Sequence, residues 1–147
     1  MDILSIAIII FLVLEASNVV MLFFAPGTRR GNGLGVFKAY EKSKEDIDVH
    51  DLVKYLINWI AGTKLIFIAL LIVILITGNS TTKILSIVAL IISISTFYWR
   101  LYPEIKKMDR ANQITPKGYS RTLAFMITGF ILVFIVALIL YFAFYRN

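Results

Sequence analysis

The sequence contains no cysteine and only one histidine, and these absences exclude several kinds of site. Without thiols the chain forms no disulfide, no cysteine-ligated zinc or iron–sulfur centre and no thiol nucleophile. A single histidine cannot supply both axial ligands of a haem. Eight glycines and three prolines among 147 residues are too few for a collagen-like or low-complexity chain. We therefore expect no cofactor.

Charged residues are also scarce, because they make up 16% of the chain while 59% of the residues are hydrophobic. Soluble domains have about 25% charged and about 45–50% apolar residues. Four stretches reach the length of about 20 apolar residues that a membrane helix needs: 3–25, 52–77, 80–102 and 122–145. They are too long for membrane strands and do not alternate. We predict an all-α integral membrane bundle of four transmembrane helices, forming one domain over residues 1–147.

The basic residues predict the orientation of this bundle. Twelve of the 15 lie in or beside two connecting segments, 26–51 and 103–121: Arg29, Arg30, Lys38, Lys42, Lys44, Lys54, Arg100, Lys106, Lys107, Arg110, Lys117 and Arg121. Short loops rich in Lys and Arg remain in the cytoplasm. We therefore expect two cytoplasmic loops, N- and C-termini outside, and antiparallel neighbouring helices in the plasma (cytoplasmic) membrane. Basic residues that flank spans favour anionic lipids as partners rather than nucleic acid.

Two ionisable residues fall near the middle of predicted spans. Glu15 is in the first span and Lys64 in the second, and charges at mid-bilayer are retained when they are paired or used. Asn18 and Asn58 lie about one turn nearer the cytoplasmic side. These four residues form the predicted intramembrane polar site. It is a buried ion pair that fixes the helix register or a proton or cation site. In a third alternative Glu15 and Lys64 never meet, and one of them binds a lipid head group or faces another subunit.

Span three carries small residues in a row along one helix face. The row continues with Thr96 and Arg100 after Ser86, Ala89 and Ser93. The intervals are three, four, three and four, which is typical of a helix packing seam. The alternative is that these residues line a path for a polar solute. Pro103 is expected to end this span, because proline disfavours a helical conformation in the residue before it.

Two features of the first loop are weaker candidates for binding. Arg29 and Arg30 precede three closely spaced glycines, so they and nearby backbone amides are a candidate contact for an anionic lipid phosphate. Asp48, His50 and Asp51 are weak candidates for metal ligands, although their spacing matches no common metal motif. The simpler interpretation is an acidic, solvated loop in which Asp51 caps the second span.

Three functions remain open from the sequence. The first is an oligomeric transporter or channel-like protein, since one small four-helix bundle encloses little space. Four spans with Glu15 midway along the first resemble the layout of the small multidrug-resistance transporters, although the long loops and Lys64 depart from it. The second is a non-catalytic accessory or assembly subunit that contacts a membrane partner protein. The third, a lipid-modifying enzyme, is least favoured because no acidic cluster has a recognised spacing.

Overall fold

The computed structural model describes residues 2–31 and 33–144, and these residues are 83% helical without a strand. The helices are α1 (Ile3–Phe24), α2 (Lys38–Ser43), α3 (Ile47–Thr77), α4 (Ser80–Trp99), α5 (Leu101–Arg110) and α6 (Tyr119–Phe144), with a 3-10 turn at Leu34–Val36. Helices α1, α3 and α6, and α4 continued by α5, are long and apolar enough to cross a membrane. The prediction of an all-helical chain with four such helices is confirmed. Tyr145, the predicted end of the fourth span, lies outside the described residues.

Helix α3 begins five residues before the predicted second span. Its N-cap is Asp46, whose side chain accepts hydrogen bonds from the backbone N–H groups of Asp48 and Val49 at 3.1 and 3.2 Å. The prediction that Asp51 caps this helix is wrong. Asp51 lies inside the helix and pairs with the exposed Lys54 at 3.3 Å. A polar first turn thus extends the apolar helix because Asp46 satisfies its free N–H groups.

The third apolar helix is interrupted earlier than expected and then continues. Helix α4 ends at Trp99, and α5 starts at Leu101 with Pro103 in its first turn. Proline is tolerated there because a first-turn residue has no intrahelical partner for its N–H. The prediction that Pro103 ends the helix is therefore wrong. Half of the ten residues of α5 are charged, so the apolar stretch is confined to α4.

Helix α1 lies at the centre of the bundle. It packs against α3, α4 and α6, and it is the most buried of the long helices. Phe11 shows this position well, because its ring packs edge-on against Phe67 of α3 and against Phe130 and Phe134 of α6. The ring centroids are 6.0, 5.5 and 5.4 Å apart. One aromatic side chain thus joins three helices.

Helices α3 and α4 are joined by only Gly78 and Asn79, yet they make few contacts with each other. Helix α1 contacts both of them more extensively. The two helices are antiparallel, as their short connection requires, but they diverge from the turn instead of packing along their length. This divergence leaves a cleft that has α1 as its floor.

The two long loops pack together at one end of the bundle, here called the loop end. Lys38 N–H donates to the Gln113 carbonyl at 2.9 Å, and Thr115 N–H donates to the Val36 carbonyl at 2.8 Å. A small second core fills the space beneath the helices: Val36, Phe97, Ile105 and Ile114. The opposite end, here called the terminal end, holds Asp2 and the turn between α3 and α4.

Candidate functional site

The structure places Glu15 and Lys64 in direct contact. Lys64 Nζ donates to Glu15 Oε2, which joins α3 to α1 by an ion pair. The Lys64 side chain is 26% exposed and the Glu15 side chain 12% exposed. Two charges removed from water are costly separately, and mutual pairing recovers much of that cost. The pair is partly buried, and its accessible side faces the cleft.

The cleft between α3 and α4 has a volume of about 490 Å³. Its lining side chains come from α1, α3 and α4: Phe11, Glu15, Thr63, Lys64, Phe67, Leu70, Leu71, Ile74, Ser86, Ala89, Leu90, Ser93 and Ile94. The lining is mostly apolar. The cleft lies between α3 and α4, with α1 as its floor.

Apart from Ser86, the polar side chains of the cleft gather at the end farther from the α3–α4 turn. Lys64 and Ser93 are each thirteen residues from the helix ends at that turn, Thr77 and Ser80, which corresponds to about 20 Å of helix. They therefore lie at one level, together with Glu15. Among the described residues Ser93 Oγ has no hydrogen-bond partner, so its hydroxyl is available in the cleft.

Among residues 2–31 and 33–144, Ser86, Ala89 and Ser93 of α4 form no packing seam with another helix. Ser86, Ala89 and Ser93 line the open cleft, and Ala89 and Ser93 are exposed. The α4–α6 contact includes Tyr98, whose hydroxyl donates to the Ala124 carbonyl at 2.9 Å and bonds the Thr128 hydroxyl. The face of α4 that carries the small side chains is left uncovered.

The two amides of the predicted site are elsewhere. Asn18 is partly buried and lies beside the first loop, since a Cβ atom added to Gly31 would be 2.8 Å from Asn18 Oδ1. Asn58 is exposed, and it lies about 120° around α3 from Lys64. Neither amide lines the cleft. The site therefore consists of the charged pair without Asn18 and Asn58.

Several backbone N–H groups of the glycine-rich loop are already hydrogen-bonded within the loop. Gly33, Leu34 and Gly35 donate their backbone N–H groups to carbonyls of the same loop at 2.7–3.0 Å. Arg29 and Arg30 are exposed and outside any ion pair within the described part of the chain. The proposed phosphate contact therefore lacks those three amides, and only the two arginine side chains remain available.

The weak metal candidates are not brought together. His50 Nδ1 is 3.0 Å from the hydroxyl of the buried Ser43, and this contact joins α2 to α3. Asp48 and Asp51 are exposed. Among the described residues no three side chains of the metal-binding types form a group. His50 is occupied by a contact between two helices.

A polar cluster at the terminal end was missed by the sequence analysis. Lys83 Nζ donates to Asp2 Oδ2 at 3.0 Å and to Ser5 Oγ at 2.8 Å. Its signal was visible, since Lys83 is the one basic residue near the turn between spans two and three and Asp2 lies just before the first. The predicted topology puts both residues on one side of the membrane. What was missing was the knowledge that α1 and α4 are neighbours.

No family model matches this sequence, and comparison with curated proteins and with solved structures finds no significant similarity to any of them.

Proposed function

We propose that this protein is an integral membrane transporter that takes an amphipathic molecule from the bilayer into the cleft between α3 and α4. The observation that carries the proposal is the position of the Glu15–Lys64 pair at one end of a mostly apolar cleft. A charged or zwitterionic head group would exchange ionic contacts with this pair. An acyl or alkyl tail would lie along Phe67, Leu71 and Ile74 toward the turn.

The proposal includes the orientation derived from the basic residues, with the loop end in the cytoplasm of a plasma membrane. The packing of both long loops at one end supports it, because this end then carries nearly all of the basic residues. The absence of cysteine makes the test direct. Lys42→Cys and Thr81→Cys place single thiols at exposed positions of opposite ends. An impermeant maleimide added to intact cells should label only the second, and the reverse pattern would overturn the orientation.

Binding is tested with probes of matched chain length in a neutral maltoside detergent. We would use dodecylphosphocholine, dodecanoate and dodecylamine as zwitterionic, anionic and cationic probes. Ala89→Phe fills the cleft, whereas Ala69→Phe adds the same side chain at an exposed position outside it. At least one probe should stabilise the wild type and Ala69→Phe against heat, and stabilise Ala89→Phe much less. Equal responses of both variants would contradict the proposed site.

Transport itself needs a second measurement. The probe that binds should exchange across the membrane of liposomes containing the protein, and this exchange should fall at least tenfold with Ala89→Phe but not with Ala69→Phe. We propose that the transporting unit is a homo-oligomer, since one bundle of this size encloses no path along its axis. The mass of the purified protein in detergent tests this part, and a monomer that still transports would refute it.

The exposed small side chains of α4 favour a second candidate, an accessory subunit of a larger membrane complex. Small residues allow the backbone of another transmembrane helix to approach closely. In this case the cleft would hold a helix of the partner, and none of the three probes would bind. Ala89→Phe would then release a membrane protein that co-purifies with the wild type and with Ala69→Phe.

A further inference from the structure

A second cleft, of about 560 Å³, lies at the loop end between α5 and the start of α6. Four exposed basic side chains line it: Lys106, Arg110, Lys117 and Arg121. No ion pair occupies any of them within residues 2–31 and 33–144. This separates the cleft from an ordinary charged surface, where basic and acidic side chains alternate and offset each other.

The acidic residue at this cleft is turned toward its own backbone partners. Asp109 is buried, and its two carboxylate oxygens accept the N–H of Gly118 at 2.9 Å and the N–H and hydroxyl of Ser120 at 3.1 and 2.7 Å. The carboxylate therefore fixes the first turn of α6 against α5. It offsets one of the four positive charges and leaves an excess of three for a ligand.

The spacing of the residues explains why the basic groups converge. Lys106 and Arg110 are four residues apart on α5, so they share a face of that helix. Arg121 and Phe125 are related in the same way on α6. Because Asp109 joins the two helices, these two faces border one cleft, and Lys117 closes it from the connecting turn.

The apolar edge of this cleft indicates the kind of anion. Phe125 lines it and is 73% exposed, six residues into the apolar helix α6. A ligand seated here meets positive charge at its polar end and an apolar helix surface beyond. Phosphate accepts charge-assisted hydrogen bonds from Lys and Arg, and basic pockets beside membrane helices bind phosphate head groups of lipids.

We propose that the cleft between α5 and α6 binds the phosphate head group of an anionic phospholipid, with an acyl chain against Phe125. This site shares no lining residue with the α3–α4 cleft, so its test does not depend on the transport proposal. It also differs from Arg29 and Arg30, which line no cavity with these groups. The lipid would join α5 to α6 from outside, in addition to the contact that Asp109 makes inside.

The test compares two charge-matched variants of the full chain in maltoside micelles. Lys106→Gln with Lys117→Gln removes two lysines from the cleft, and Lys38→Gln with Lys107→Gln removes two exposed lysines outside it. Added phosphatidylglycerol should stabilise the wild type and the control against heat more than phosphatidylcholine of the same chains does. Native mass spectrometry should show phosphatidylglycerol binding roughly tenfold or more weaker for the cleft variant.

Several outcomes would overturn the proposal. One is equal phosphatidylglycerol binding by the cleft variant and the control, and another is equal stabilisation by the zwitterionic lipid. Glycerol 1-phosphate supplies the same phosphate without acyl chains, and full stabilisation by it would assign the cleft to a soluble phosphate ester instead. If the double variant does not fold, Lys106→Gln and Lys117→Gln are measured singly against Lys107→Gln. Weaker phosphatidylglycerol binding by the two cleft variants would support the proposal, and binding equal to that of Lys107→Gln would overturn it.

Discussion

Lys83 Nζ lies 3.0 Å from Asp2 Oδ2 across 81 positions of the sequence. The other oxygen of the same carboxylate accepts the backbone N–H of Ser5 at 2.7 Å and thereby caps α1. One side chain thus begins a helix and holds the start of α4 against it. Because the two roles use different properties of Asp2, they are separable by substitution.

Asp2→Asn should keep the cap and lose the ionic contact, since Asn is about as good an N-cap as Asp. We expect it to lower the free energy of unfolding by up to about 1 kcal/mol, because the pair is partly exposed. Asp2→Ala should cost about 1 kcal/mol more. Unfolding in a neutral detergent at low and high salt measures both. Equal losses for the two variants would show that the cap contributes nothing.

The Glu15–Lys64 pair should behave as a coupled unit in a double-mutant cycle. Glu15→Gln and Lys64→Met each leave one partly buried charge without its partner, which is costly. The double variant avoids this cost, so we expect a coupling energy of about 1–3 kcal/mol. Thermal unfolding of the four proteins provides the cycle. Additive effects, with Glu15→Gln well tolerated, would mean that the contact contributes little to stability.

Asp109 should make stability depend on pH in the acid range. The hydrogen bond from the Ser120 hydroxyl, and then that from the Gly118 N–H, hold the pKa of this carboxyl below its ordinary value of 3.8. The carboxylate therefore adds stability above that ordinary value. The added stability is lost as the pH falls from about 4 through the lowered pKa of the folded protein.

The control for this prediction is Asp109→Asn, which cannot ionise. The wild type should lose more stability than this variant when the pH is lowered below about 4, and the two curves should run parallel above about 6. Unfolding in a nonionic detergent, followed by circular dichroism at 222 nm (the wavelength of helical signal), is the measurement. Parallel curves throughout would exclude Asp109 as the titrating group.

Two glycines provide a matched pair for the compact first loop. A Cβ atom on Gly35 would lie 2.0 Å from the Gly27 carbonyl oxygen, whereas one on Gly62 would meet nothing within 4 Å. Gly35→Ala must shift loop backbone and should cost about 1–3 kcal/mol. Gly62→Ala, inside α3, should be neutral or gain about 0.5–1 kcal/mol. Equal stability of the two variants would show that the loop is not tightly packed.

Much of this fold was predictable because apolar runs of about 20 residues are typical of helices long enough to cross a membrane. The four long helices follow from such runs, but their ends were less predictable. Helix α3 begins with a polar turn capped by Asp46, and α4 is continued by the charged helix α5 from Leu101. Capping and the placement of Pro103 depend on single hydrogen bonds, which composition does not reveal. The short connection between α3 and α4 predicted their direction correctly but not their divergence.

The candidate site was only partly predictable, because depth along a span is readable from the sequence and helix neighbours are not. Glu15 and Lys64 share a depth, and their contact depends on α1 lying beside α3. Asn18 and Asn58 also share a depth, yet they face different surroundings. The clefts arise from helices that diverge or meet at a turn. No local pattern of residues specifies that geometry.

The central position of α1 has a consequence for the order of membrane insertion. Lys64 is the residue whose charge makes it costly to place the apolar part of α3 in lipid. Its partner Glu15 belongs to a helix that is synthesised earlier. In the proposed membrane topology, the Glu15 carboxylate would already be in place when α3 emerges, and the two helices could then enter the lipid as a pair. If the order of these helices were exchanged, Lys64 would enter the lipid without Glu15. We would then expect α3 to insert incorrectly before the folded protein loses any stability.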